Sequence, residues 1–156
     1  MTKSFDVSRI GVVHSPRKDL SDDFWGKVDV EIELDAAFGP EALYGLTDFS
    51  HVEILFLMDR VDPAKVETGA RHPREREDWP LVGIFAQRGK ARPNRIGLTR
   101  ATILGVEGRV LKVRGLDAID GTPILDIKPW MDEFAPIGAR RQPAWASELM
   151  RDYYKD

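Results

Sequence analysis

The run KVDVEIELD, residues 27–35, alternates without a break: Val28, Val30, Ile32 and Leu34 on one side, Asp29, Glu31 and Glu33 on the other. A side-chain period of two puts these sets on opposite faces of a strand, one for a core and one for water. This pattern limits the fold because strand-like runs recur along the chain with little helical period between them. RIGVVHS is a short apolar run closed by Pro16, and HVEILFLMD is almost continuously apolar and predicts a strand buried on both faces. LVGIFAQ predicts another strand, and LTRATILGV and RVLKVRGL flank Glu107-Gly108 as a hairpin. DAIDGTPILDIKPW adds a turn at Asp120-Gly121 and one more strand. Helical signals are few. Pro40 opens PEALYGL as a short helix, and Pro143 opens PAWASELMRDYY, with Trp145, Leu149 and Tyr153 at i, i+4 and i+8. DPAKVETGARHPREREDW has no usable period and reads as an exposed excursion. Many short strands without βα alternation predict a mainly β fold. We expect one antiparallel or mixed β-barrel with short helices and a C-terminal helix.

Composition narrows the class further. The 156 residues suit a single domain spanning 1–156, and 42% hydrophobic with 31% charged residues is ordinary for a globular protein. No apolar run approaches the ~20 residues of a membrane-spanning helix. The N-terminus, MTKSFDVSRIGVV, lacks the basic-then-apolar layout of a secretory signal, so the cytoplasm is the expected compartment. Without cysteine there are no disulfides, thiolate nucleophiles or cysteine–zinc sites, and His14, His51 and His72 are dispersed, so no metal site is expected. GxGxxG after a strand, GxxxxGK[ST] and GxSxG are all absent. A nucleotide-bearing cofactor would therefore not sit in a Rossmann crevice.

Charge is uneven. The net charge is -3, yet Trp79 to Val106 contains no carboxylate. Within that stretch QRGKARPNRIGLT brings together Arg88, Lys90, Arg92 and Arg95. Guanidinium groups capture carboxylates or phosphates bidentately. Asn94 beside Pro93 offers a donor and an acceptor, and Gly97 lets a backbone pass close to a ligand. The plainer reading is a solvated basic loop. In RGLDAIDGTPILDIKPW, Asp120-Gly121-Thr122 is turn chemistry, whereas Asp117 directly after an apolar strand suits a ribose hydroxyl or an amine. Lys128 beside Trp130 offers either a phosphate anchor with a stacking face or simple core filling.

Together, GIFAQRGKARPNRIGLT and VRGLDAIDGTPILDIKPW, with IGVVHSP and YGLTDFSHVEILFLMD, resemble the S-adenosylmethionine-dependent methyltransferases that modify tRNA beside the anticodon. The type member of that family methylates N6 of threonylcarbamoyladenosine at position 37. The likeness covers most of residues 9–130. It implies a β-barrel unlike the Rossmann methyltransferases, a homodimer with the cofactor pocket near the subunit interface, and S-adenosylmethionine as cofactor. Position by position it carries the cofactor contacts onto Arg88 and Leu98, the four residues Arg114, Gly115, Leu116 and Asp117, and the pair Asp59 and Arg60. Lys90, Arg92, Asn94 and Arg95 would then face the tRNA, the cations on its phosphates. The type member has histidine where this chain has Asp59. The loop after HSP is also shorter here, with Phe24 and Trp25 either contacting cofactor or plugging the fold. Longer bacterial members carry a further C-terminal region. No catalytic residue is assigned; Asp117 and Asp120 are both conceivable proton acceptors. Two alternatives stand beside this reading: the same chemistry on a small molecule or another RNA, and a non-catalytic RNA-binding barrel.

Overall fold

A computed structural model describes residues 2–156. Six of its strands close a barrel: β1 (Gly11–His14), β2 (Asp29–Leu34), β3 (His51–Leu57), β6 (Ile96–Glu107), β7 (Val110–Arg114) and β8 (Pro123–Pro129). Around the barrel the order is β1-β2-β7-β6-β3-β8, and every neighbouring pair is antiparallel. The predicted alternation in β2 is present, with Val30, Ile32 and Leu34 buried. Val13, Val52, Ile54, Phe56, Leu111, Val113 and Ile124 join them and fill the interior. A barrel this small is packed by its own side chains, each large one contributing about 1.5–3 kcal/mol through burial. The β6–β7 hairpin turns at Gly108, whose φ of 59° is open to glycine without a Cβ penalty.

Four local expectations are corrected. β3 is not buried on both faces: Val52, Ile54 and Phe56 point inward and the intervening residues are half-buried or exposed. An antiparallel barrel wraps only one face of each strand around its core, so a nearly continuous apolar run overstates the burial. LVGIFAQ yields only the two-residue β5 (Val82–Gly83), followed by a 3-10 turn at Ile84–Ala86. β5 pairs with β4 (Ala70–Arg71), so residues 62–79 are a folded excursion rather than an open one. That excursion buries Pro73 and Trp79. Finally, α1 covers only Ala144–Leu149. Tyr153 therefore leaves the stripe predicted for it.

Antiparallel register gathers particular strand ends at one rim. His14 pairs with Glu31, Asp29 with Arg114, Leu57 with Ile96 and Phe56 with Ile124. The C-terminal ends of β1, β3 and β7 and the N-terminal ends of β2, β6 and β8 therefore meet. The basic loop before β6, the 114–117 segment after β7 and the Asp120 turn before β8 open onto that rim, whereas Lys128 and Trp130 lie at the other end, beside the start of β3.

Candidate functional site

β6 starts at the rim, and its approach is the basic loop. Pro93–Arg95 forms a 3-10 turn in which Asn94 and Arg95 hold φ values of 63° and 50°. Asparagine tolerates that left-handed conformation better than most residues, which gives Asn94 a backbone role beside any ligand role. The loop cations are partly spent on the chain itself. Arg92 Nη1 donates to the Gln87 carbonyl at 2.6 Å and Arg95 Nη1 to the Val61 carbonyl at 2.9 Å. Lys90 Nζ stands 3.8 Å from an Asp22 carboxylate oxygen. Gln87 is buried and donates through Nε2 to the carbonyls of Arg71 and Val82, both at 3.0 Å, which ties the loop to the β4–β5 ribbon.

Arg88 turns the other way. Its Nη2 donates to the Leu98 carbonyl at 2.6 Å, and the Leu98 side chain is 40% exposed. The next residue, Thr99, is buried and donates through Oγ1 to Oδ1 of Asp117. Oδ2 of the same carboxylate accepts from the Tyr153 hydroxyl. Tyr153 and Tyr154 meet edge to face with ring centroids 5.0 Å apart. Burial, and then the Asp117 charge, pushes the Tyr153 phenol far above the ordinary tyrosine range. Tyr154 is raised for the same two reasons, with Arg88 opposing them. Arg88, Leu98, Thr99, Asp117 and the two tyrosines thus form one cluster.

Residues 114–117 pass through it mainly as backbone. Arg114 is exposed and gives its guanidinium to Asp29, its cross-strand neighbour, at 2.6 and 2.8 Å. Leu116 is fully buried, main chain included, and belongs to the core, so it offers no exposed surface to a ligand. Gly115 has a φ of 86° and open space where a Cβ would begin. Asp59 and Arg60, just past β3, are exposed, and Arg60 Nη2 donates to the Asp120 carbonyl at 3.0 Å. Asp120 in turn accepts the Ser15 N–H at 3.0 Å. Gly97 has another purpose than the one expected: a Cβ there would lie 2.4 Å from Cζ of the buried Phe56. Its missing side chain makes room for the core.

The loop at 24–26 resolves into two roles. Trp25 is buried, with Arg17 over its ring at 3.6 Å, whereas Phe24 is exposed at a φ of 69°. Trp130 is half-buried beneath Arg100, 4.2 Å from the ring centroid. A surface cavity of about 620 Å³ lies at the opposite rim between Leu34, Phe38, Tyr44 and Pro129. It contains none of the residues brought together here.

Residues 15–135 match the tRNA-methyltransferase O N-terminal domain family. The chain belongs to this family. A probable S-adenosyl-L-methionine-binding protein of Archaeoglobus fulgidus is 35% identical over 136 residues, 85% of this chain and 36% of that protein. The tRNA (adenine(37)-N6)-methyltransferase of Mus musculus is 41% identical over 93 residues, 60% of this chain and 21% of that one. The crystal structure of TrmO from Pseudomonas aeruginosa superimposes with a TM-score of 0.72 at 28% identity, covering 93% of this chain and 63% of that one. The chain therefore spans about a third of the first relative, a fifth of the second and less than two thirds of the solved chain.

Within the tRNA-methyltransferase O fold, Arg88, Leu98 and Asp117 gather in one cluster, while Arg60 lies on the adjoining Asp120 turn. Thr99, Tyr153 and Tyr154 join this cluster although the sequence did not single them out as candidates. Thr99 had a visible signal, because it follows Leu98 and its hydroxyl suits a carboxylate. Tyr153 had none, since its neighbours in sequence suggest a helical stripe.

Proposed function

We propose that this protein is an S-adenosylmethionine-dependent methyltransferase acting on N6 of threonylcarbamoyladenosine at position 37 of tRNA. The observation that carries the reading is the Arg88–Leu98–Asp117 cluster, set in the segment that matches the family. The names of the relatives, an S-adenosyl-L-methionine-binding protein and a tRNA (adenine(37)-N6)-methyltransferase, support it.

The rim fits the chemistry of that cofactor. A guanidinium at Arg88 suits the amino-acid carboxylate, a carboxylate at Asp117 suits an ammonium or a ribose hydroxyl, and exposed Leu98 suits the adenine face. Gly115 leaves its backbone accessible beside them. Asp59, Arg60 and Arg114 complete the proposed contact set, and Leu116, enclosed in the core, drops out of it. S-adenosylmethionine supplies an electrophilic methyl group on its sulfonium. The chain's own contribution is to hold donor and acceptor in line at about 3–3.5 Å, and positioning alone accounts for much of the acceleration in such transfers. Lys90, Arg92, Asn94 and Arg95 stand beside that cluster as the proposed tRNA contacts, on a segment that carries no carboxylate of its own to repel phosphate.

The reading includes a homodimer. Leu81, Phe85, Ile96 and Leu98 are exposed apolar side chains on segments that build this rim, and a two-fold contact would cover them. Light scattering should then report about twice 17.6 kDa. The cytoplasm is the compartment we propose, as the place of the tRNA substrate. No helix among the described residues is long and apolar enough to cross a membrane.

Mass spectrometry of tRNA nucleosides from a deletion strain tests the acceptor. Loss of the N6-methyl form of threonylcarbamoyladenosine, restored by the wild-type gene, is the expected result. Loss of a different methylated nucleoside keeps the chemistry and replaces the acceptor. Calorimetry of the purified protein with S-adenosylmethionine tests the cofactor, and absence of binding at millimolar concentration overturns the enzyme reading.

A further inference from the structure

The C-terminal tail is strapped across the site. After α1 it runs beside the 24–26 loop, with Phe24 N donating to the Asp152 carbonyl at 3.1 Å and Trp25 N to the Tyr153 carbonyl at 2.8 Å. Gly26 N reaches the Lys155 carbonyl at 3.4 Å, and Lys27 Nζ pairs with Asp156 at 2.5 Å. Gly26 is required for this approach: a Cβ there would lie 1.9 Å from the Tyr154 carbonyl oxygen. Both sides of the strap are anchored. Trp79 Nε1 donates to Glu148 of α1 at 2.8 Å, and Arg74 clamps Asp23 bidentately at 2.9 and 3.1 Å.

We propose that Tyr153 is a positioning residue of the cofactor site, acting through Asp117; the proposal rests on the methyltransferase reading. The Asp117 carboxylate accepts one hydrogen bond on each oxygen, from Thr99 on the barrel wall and from Tyr153 on the tail. Two donors on opposite oxygens fix the plane of the carboxylate. An ionised carboxylate has about four lone-pair sites, so two remain for an incoming ammonium or hydroxyl. Tyr153 thus orients the acceptor without using up its capacity. Because burial and the adjoining carboxylate keep the phenol protonated, it acts as a donor throughout the physiological range. The site is completed by the tail, a segment outside the matched residues 15–135.

A double-mutant cycle in the full chain tests this. S-adenosylhomocysteine affinity is measured by calorimetry for wild type, Tyr153→Phe, Asp117→Asn and the double variant, with a thermal melt of each. Tyr153→Phe keeps the ring and removes the donor, and should weaken binding about tenfold. In the Asp117→Asn background the same change should add little, because the phenol acts only through that carboxylate. Gly26→Ala, which displaces the tail and with it Tyr153 while changing none of the cluster's side chains chemically, should weaken binding to a similar extent. Unchanged affinity in either Tyr153→Phe or Gly26→Ala overturns the proposal. Tighter binding also overturns it, since the tail would then be an obstruction. Losses that multiply in the double variant would mean that the Tyr153 hydroxyl acts independently of Asp117, which also overturns the proposal. A wild type that binds no S-adenosylhomocysteine sinks the methyltransferase reading itself, a result distinct from all of these.

Discussion

The Arg88 guanidinium donates through Nη2 to the main-chain carbonyl of Leu98 at 2.6 Å, which joins the loop before β6 to the first turn of the strand itself. One contact therefore ties a candidate carboxylate receptor to the edge of a candidate adenosine surface. Arg88→Ala should weaken S-adenosylmethionine binding by roughly 10- to 150-fold, the range for a lost charge-assisted hydrogen bond. Calorimetry of the variant against wild type checks it. Unaltered affinity removes Arg88 from the site while leaving the rest of the cluster in place.

Gly97→Ala should destabilise the fold without touching a ligand contact. The new Cβ would meet three ring atoms of Phe56 between 2.4 and 2.9 Å, and Phe56 sits in the core where it cannot swing clear. Overpacking of this kind costs about 1–3 kcal/mol, a fall in Tm of roughly 2–12 °C for a chain of this size. Differential scanning calorimetry reads it directly. An unchanged Tm would show that the Phe56 ring yields and that Gly97 is tolerant.

Asp29 gives a pH signature. The hydrogen bond from Arg114 holds its carboxyl below the ordinary aspartate range, burial opposing it and the Arg114 charge adding to it. A lowered folded-state value contributes stability above the unfolded value near 4 and loses it as pH falls through the folded value. The pair is half exposed, so the effect is small. Asp29→Asn should lower the urea midpoint at pH 7, and the difference from wild type should shrink as pH is taken below about 4. A difference that stays constant across that window would mean that the ion pair contributes no linkage.

The loop cations should separate by salt dependence. Removing Lys90, which is half exposed and only loosely paired with Asp22, should flatten the log–log salt slope of tRNA binding by about 0.7–0.9. Arg92 and Arg95 also brace the loop through the Gln87 and Val61 carbonyls, so their alanine variants should lose thermal stability as well as tRNA affinity. Fluorescence titration of tRNA across a salt series, with melts alongside, distinguishes the two effects. Identical slopes for wild type and all three variants would place the RNA on another surface.

Sequence alone determined the mainly β class of short strands, because side-chain period is a local property. Val28 to Leu34 alternate whatever surrounds them, and Gly108 marks a hairpin between two such runs. The two long motifs likewise singled out Arg88, Leu98 and Asp117 as candidates, because family likeness is carried in the order of residues, and the fold brings the three together. What only the tertiary structure decided depends on partners distant in the chain. The fate of β3's second face turned on whether the sheet closes into a barrel. Gly97 looked like an approach for a ligand until the register placed it against Phe56, 41 positions earlier. Tyr153 looked like the third member of a helical stripe until the chain left α1 to pair with residues 24–26. Its hydroxyl then met a carboxylate 36 positions away. Such contacts have no local period, since they arise from where the backbone hydrogen bonds of the tail are satisfied. The packed barrel and its strap made that choice.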